Sequence, residues 1–249
     1  MPVATERHGR VLLVRLDRDA KLNAMDHEMT LGLDAAMNLL EDDAELWAGV
    51  LTGNGRAFSA GSDLADPDRN STERGGPYGL IRRARRKPLI AAVDGLAFGG
   101  GFEMVLACDL VVASRRARFA LPEVKRGLLA LYGGVFRGAR ALPLNLAREM
   151  VLTGEPVDAE RAHALGLVNR LCDDGTAPDT ALALAADICA NSPVAVRESL
   201  GVINQSIDAG DALAWQLSTE AAARVRASQD SREGIAAFLE KRPPRWQGR

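Results

Sequence analysis

Three histidines and three cysteines among 249 residues leave little material for the commonest catalytic and metal-binding arrangements. The cysteines, Cys108, Cys172 and Cys189, are scattered and odd in number, which argues against a disulfide framework and predicts reduced, buried thiols in a cytoplasmic protein. His8, His27 and His163 lie outside the glycine-rich stretches, so a histidine-based triad has no support. No HExxH, paired-cysteine, G-x-S-x-G or P-loop lysine spacing occurs either. An excess of one charge is also missing. Lys and Arg number 31 against 33 Asp and Glu, and a net charge of −2 gives no global reason to expect nucleic acid or an anionic membrane as partner. No apolar run reaches the length of a membrane helix, and the only apolar stretch near the start, VLLV, is flanked by arginines, so no secretory or transit signal is evident. These absences together point to a small-molecule partner.

What is present suits a packed core: 47% of residues are hydrophobic and 26% charged. Strands are expected at 10–16, 47–53, 88–95 and 109–114. Between the first two, Asp26 is placed to cap a helix carrying Met29, Leu33, Met37 and Leu40 at helical spacing. Strands alternating with helical runs indicate an α/β chain. From Pro143 the pattern turns mostly helical, and the last stretch, from Ser192, holds no convincing strand. The expected division is a core over 1–191 and a helical region over 192–249 that packs on the core or on a second subunit. The segment 66–79, DPDRNSTERGGPYG, has the composition of a mobile loop, and its closing on a ligand is the hypothesis that composition raises.

GVLTGNGRAF resembles the opening of a dinucleotide fingerprint, but Phe58 stands where a glycine or alanine is needed. Three other segments carry the positive signal: FSAGSDL (58–64), FGGGFE (98–103) and FALPEVKRG (119–127). Glycine costs about 1 kcal/mol relative to alanine inside a helix, so three in a row predict a close approach of something to that backbone. Two glycine turns after strands present bare N–H groups, and two such donors converging on one carbonyl oxygen form an oxyanion hole, helped by the positive end of the helix that follows. Glu103 lies one helical turn beyond Gly100, over the face where that oxygen would sit, and Glu123 follows 20 residues later after the Leu121-Pro122 turn. Two carboxyls facing one substrate allow one to act as general base and the other as general acid. Burial among Phe102, Met104 and Val105 favours the neutral form of Glu103.

AFSAGSDL, AAVDGLAFGGGFEMVLACDL and FALPEVKRGL, in this order, resemble the crotonase or enoyl-CoA hydratase/isomerase superfamily, a likeness that extends from LNAM through LTGEPVDAERAHALGLVNRL to FLEKRPPRW. The resemblance implies a spiral core of repeated ββα units with a helical C-terminal trimerisation region, assembled as a homotrimer or homohexamer. It implies a coenzyme A thioester as substrate, with no separate metal or redox cofactor and no nucleic acid or membrane partner. Its carbonyl would be held by the N–H groups of Ser62 and Gly100, while Glu103 and Glu123 add water at C3 and a proton at C2, or reverse that step. Coenzyme A contacts would come from Ala20, Lys21, Leu22 and Ala24, pantetheine contacts from Ala60, Asp63 and Leu64. Phe238 and Lys241 match a position that in relatives reaches the nucleotide end from a neighbouring subunit. One departure stands out: Ala130-Leu131-Tyr132-Gly133-Gly134 replaces the P-G-x-G-G turn of many hydratases. The runs GGGFEMVLACD and FALPE also resemble carnitinyl-CoA dehydratases, which perform the same reaction on another acyl group. Isomerisation at the same hole is the enzymatic alternative. A non-catalytic RNA- or partner-binding role, suggested only by RRARRK (82–87), is the alternative from another class.

Overall fold

The computed structural model describes residues 2–65 and 70–245, without the side chains at 206, 208–214, 217 and 218. In chain order the elements are β1 (Val3–His8), β2 (Val11–Leu16), α1 (His27–Asp42), β3 (Ala48–Gly53), β4 (Ala57–Ser59), β5 (Ser71–Thr72), β6 (Gly76–Pro77), β7 (Leu89–Val93), β8 (Leu96–Phe98), α2 (Gly100–Leu106), β9 (Leu110–Ser114), β10 (Arg118–Ala120), α3 (Gly134–Ala141), α4 (Leu144–Thr153), β11 (Val157–Asp158), α5 (Ala159–Ala164), β12 (Arg170–Cys172), α6 (Ala177–Cys189), α7 (Pro193–Ala227) and α8 (Gln229–Leu239).

A repeat organises these pieces. The strand pairs β3/β4, β7/β8 and β9/β10 each contribute their first member to a large sheet, ordered β1-β2-β3-β7-β9-β12, and their second to a small one, ordered β11-β10-β8-β4. Neighbours within β3-β7-β9 and within β4-β8-β10 run parallel, so each repeat advances both sheets by one strand and the chain winds as a spiral. The expected ββα core is thus present, and each second strand ends where a turn or helix begins.

The four expected strands form within one or two residues of their sequence positions, because their apolar runs are buried on both faces. Leu12, Val14 and Leu16 of β2 point into the main core, while Val11 and Leu13 join a second cluster with Val50, Ile90 and Ala92 beneath Ala177, Ala181 and Ala185 of α6. The small side chains of α6 let its axis lie close to the sheet. Helix α1 begins as its sequence predicts: Asp26 accepts from the Met29 N–H at 2.9 Å, and Met29, Leu33, Met37 and Leu40 are fully buried.

The segment expected as a loose loop is different in structure. Its residues Asp66 to Arg69 lie outside the described ones, but the rest is built: β5 pairs antiparallel with β6, Asn70 is buried, and the Tyr78 side chain is completely enclosed. Thr72 Oγ1 donates to Asp34 at 2.6 Å, tying the ladder to α1. Glycine-rich composition here reflects tight packing, since a Cβ on Gly79 would lie 2.7 Å from Asp34. At the other end, α8 turns back over the core, so that a Cβ on Gly127 would meet the Asp230 backbone carbonyl at 2.6 Å.

Candidate active site

Three chain crossings converge on one cavity of about 560 Å³: the 20–25 turn beside residues 60–64, the glycine turn before α2, and the short 3-10 helix Pro122–Arg126. The first two are joined by a strand-like ladder. Met25 N–H donates to Gly61 C=O at 2.7 Å and Asp63 N–H donates to Met25 C=O at 2.9 Å, so the Ser62 N–H between them points the other way, toward the cavity. The Gly99 N–H is used by Ala120 C=O at 2.9 Å, whereas among the described residues the Ser62 and Gly100 amides have no backbone acceptor. Two donors are left facing the same space.

The triple glycine has three separate causes. Gly99 has φ +55°, a backbone that disfavours any side chain. A Cβ on Gly100 would collide with the Tyr78 hydroxyl and lie 2.7 Å from its ring, and one on Gly101 would collide with the Ser59 carbonyl. The close approach expected from the sequence is therefore made, at two of the three positions, by the protein's own Tyr78 and Ser59.

Glu103 and Glu123 both line the cavity. Glu103 retains 2% of its exposure and accepts from the Gly134 N–H at 2.9 Å through Oε1. Burial, reinforced by the nearby Glu123 charge, pushes its carboxyl well above the usual carboxylate range, against the pull of the Gly134 and Tyr132 backbone. Burial likewise raises Glu123, whose Oε2 is enclosed with no hydrogen-bond partner among the described residues. The replacement turn at 130–134 also has its explanation here: Gly133 adopts φ +105°, and Gly134 brings its N–H to Glu103 where a Cβ would crowd Ala130 at 2.8 Å and Glu103 at 3.0 Å. Leu131 and Tyr132 put their bulk into the cavity wall.

Of the expected coenzyme A residues, Lys21, Leu22, Ala24, Ala60, Asp63, Leu64 and Phe238 line the cavity. Ala20 and Lys241 are exposed and do not. Asp63 is held by Arg18 at 2.8 Å, and Asn23, fully buried, donates to the Ala57 carbonyl at 2.8 Å, so this turn is braced from within. Phe238 reaches the cavity from the same chain's α8, with Arg126 stacked 4.7 Å over its ring. Trp246, the last residue of the FLEKRPPRW motif, lies outside the described residues.

Sequence reasoning missed Tyr78, Arg126 and Arg226 as cavity residues. Tyr78 sits in a stretch whose composition resembles a loop, Arg126 lies three residues past Glu123 within FALPEVKRG, where the glutamate carries the chemical signal, and Arg226 lies in the alanine-rich run of α7. The basic cluster 82–87 is committed elsewhere. Arg83 pairs with Asp34, Arg85 makes a two-pronged bond to Asp109 at 2.6 and 2.9 Å, and Lys87 caps α1 through Leu40 and Asp43 carbonyls, each at 2.7 Å. Arg82 lies 4.0 Å over the Trp215 ring and Arg86 is 3.6 Å from Glu41. The feature that suggested RNA is explained by packing.

Comparison with known proteins agrees with this geometry. The family model for enoyl-CoA hydratase/isomerase matches residues 6–249. A short-chain-enoyl-CoA hydratase of Clostridium acetobutylicum is 34% identical over 96% of this chain and 95% of its own, and a 2,3-dehydroadipyl-CoA hydratase of Escherichia coli is 39% identical over 98% and 97%. A crystal structure of carnitinyl-CoA hydratase from Mycobacterium avium superposes with a TM-score of 0.95 at 40% identity, covering 100% of this chain and 99% of that one. With its spiral of ββα units, its paired free amides and its two buried glutamates, this chain belongs to the enoyl-CoA hydratase/isomerase family.

Proposed function

We propose that this protein is a hydro-lyase that adds water across the double bond of a 2-enoyl-CoA thioester, or removes it. The observation that carries the reading is the meeting of two unoccupied amides and two raised carboxyls on one cavity. The thioester oxygen accepts from the Ser62 and Gly100 N–H groups, which favour the charge that builds there as the enolate forms. Water loses a proton to one carboxylate while its hydroxyl bonds to C3, and the other carboxyl protonates C2. Glu103 is anchored by Gly134, which suits it to orient the water, and Glu123 has a free oxygen to carry the C2 proton. The pair exchanges states in a cycle, so the reverse elimination uses the same groups. Coenzyme A enters as part of the substrate, Lys21 stands at the cavity wall for its phosphates, and the reading needs no metal or redox cofactor.

The cavity favours an uncharged or anionic acyl group over a trimethylammonium one. Arg226 and Arg126 both line it, and the Arg226 charge reaches Tyr132. Exposed Leu144, Leu152 and Val202 support assembly of several copies, for which we take a homotrimer or a pair of trimers. A cytoplasmic location accords with the reduced cysteines.

Hydration is followed as loss of the conjugated-thioester absorbance. Glu103→Gln and Glu123→Gln should each lower kcat by about 10²- to 10⁴-fold with little change in KM. A panel of uncharged, carboxylate-bearing and trimethylammonium-bearing enoyl-CoA substrates should rank the last lowest. Retained activity in both variants would remove the two-carboxyl mechanism.

A further inference from the structure

Two hydroxyl groups stand beside the two amides assigned to the thioester oxygen. Ser62 Oγ and Tyr78 Oη are 2.5 Å apart, both residues line the cavity, and the Tyr78 ring lies against the Cα of Gly100. Tyr78 is fully buried and is held from behind by Tyr132, edge-on at 5.1 Å between ring centroids. The pair therefore touches both residues of the oxyanion hole and has little freedom to move.

The hydrogen-bond count is uneven. Two hydroxyls carry two protons, and their mutual bond uses one. Among the described residues neither has a second partner. An enclosed donor without an acceptor is costly, so the remaining proton is directed at whatever fills the cavity. Either hydroxyl can donate in this bond, and the arrangement that leaves a cavity-facing proton on the serine has the phenol donating to Ser62 Oγ. Accepting that bond polarises the serine O–H and makes it the better outward donor.

We propose that the Ser62 side chain, set by Tyr78, is a third hydrogen-bond donor to the thioester oxygen, so that Ser62 grips this oxygen through both its N–H and its Oγ–H. Tyr78 is then a positioning residue. The inference rests on the reading that the Ser62 and Gly100 amides hold that oxygen. A donor of this kind gains strength as its acceptor becomes an oxyanion, so it favours the enolate over the ground-state carbonyl. It also gives Tyr78 a chemical reason to be a tyrosine where packing alone would accept phenylalanine.

A 3-ketoacyl-CoA, whose enolate absorbs in the near ultraviolet, tests this directly. Wild type, Ser62→Ala and Tyr78→Phe are titrated with it across pH, beside a saturated acyl-CoA that cannot enolise. Ser62→Ala is expected to bind the enolate about ten- to a hundredfold more weakly, with the bound absorbance appearing about one to two pH units higher. Tyr78→Phe should move the same way by less, and in both variants the loss of affinity for the saturated thioester should be several-fold smaller than the loss for the enolate. Variants that titrate with the wild type, or that lose both ligands alike, overturn the proposal. A wild type that never binds the enolate overturns the oxyanion-hole reading with it.

Discussion

Replacing both glutamates of the site by glutamine should make the unliganded protein more stable at neutral pH while abolishing hydration. Glu103 and Glu123 keep their protons to higher pH in the folded chain than an exposed glutamate does, because burial penalises the charged form of each and each charge opposes the other. In the unfolded chain they ionise near the ordinary value of about 4.3. Above that value the folded state therefore binds more protons than the unfolded one, and stability falls as pH rises. With Glu103 raised to about 8 and Glu123 to about 7, the proton-linked stability of both is lost mainly between pH 5 and 8, and even one pKa unit lost by each inside that window amounts to about 3 kcal/mol in total, since one unit is about 1.4 kcal/mol. For a chain of this size that lowers Tm by about 5–8 °C between pH 5 and 8. The other shifted groups among the described residues titrate outside this window. Asp63 and Glu233, whose carboxyls are held low by Arg18 and Arg242 respectively, contribute only below it, and the buried Cys108 thiol, raised to about 12, contributes only above it. The Glu103→Gln/Glu123→Gln protein lacks both groups and should show a flatter Tm across the same range. Scanning calorimetry of the two proteins at half-unit pH intervals decides the matter. Parallel curves would refute the claim that the site holds its carboxyls against their solvation.

Two further substitutions probe the scaffold. Gly100→Ala should cost about 1–3 kcal/mol by overpacking against Tyr78 and should disturb Ser62 as well. Denaturant midpoints measured beside Tyr78→Leu/Gly100→Ala, which opens space for the new methyl, should show partial recovery. Arg85→Met should cost about 3 kcal/mol or more, because it strips the Asp109 carboxylate of its two-pronged partner in a largely enclosed setting. A Tm drop under about 2 °C would mean that water replaces the guanidinium there.

Much of the site was legible in the order of residues. Local patterns are short-range physics: Asp26 caps α1 because a carboxylate one residue before an apolar helical stripe has a bare N–H to accept from, and the doubly buried strands announce themselves as unbroken apolar runs. Gly100, Glu103 and Glu123 were identifiable because a glycine turn, a carboxylate one helical turn later and a second after the next strand form an arrangement with few structural uses. The three-residue strands β4, β8 and β10 were invisible in the sequence because no periodicity can be read over so short a span. Tyr78 was hidden too. Its neighbours are glycines and prolines, a composition shared by mobile loops and by tightly packed ladders, and only the surrounding β5/β6 pairing and α1 decide between them. The fate of RRARRK was settled in the same way, by carboxylates and carbonyls supplied from distant stretches such as Asp34, Asp109 and the end of α1. The sequence alone determined which residue types were available and the local geometry each could adopt. Only the spiral, by stacking one ββα unit on the next, brought residues 62, 78, 100, 103 and 123 to a single cavity and removed the water that would otherwise have held the carboxyls at their ordinary acidity.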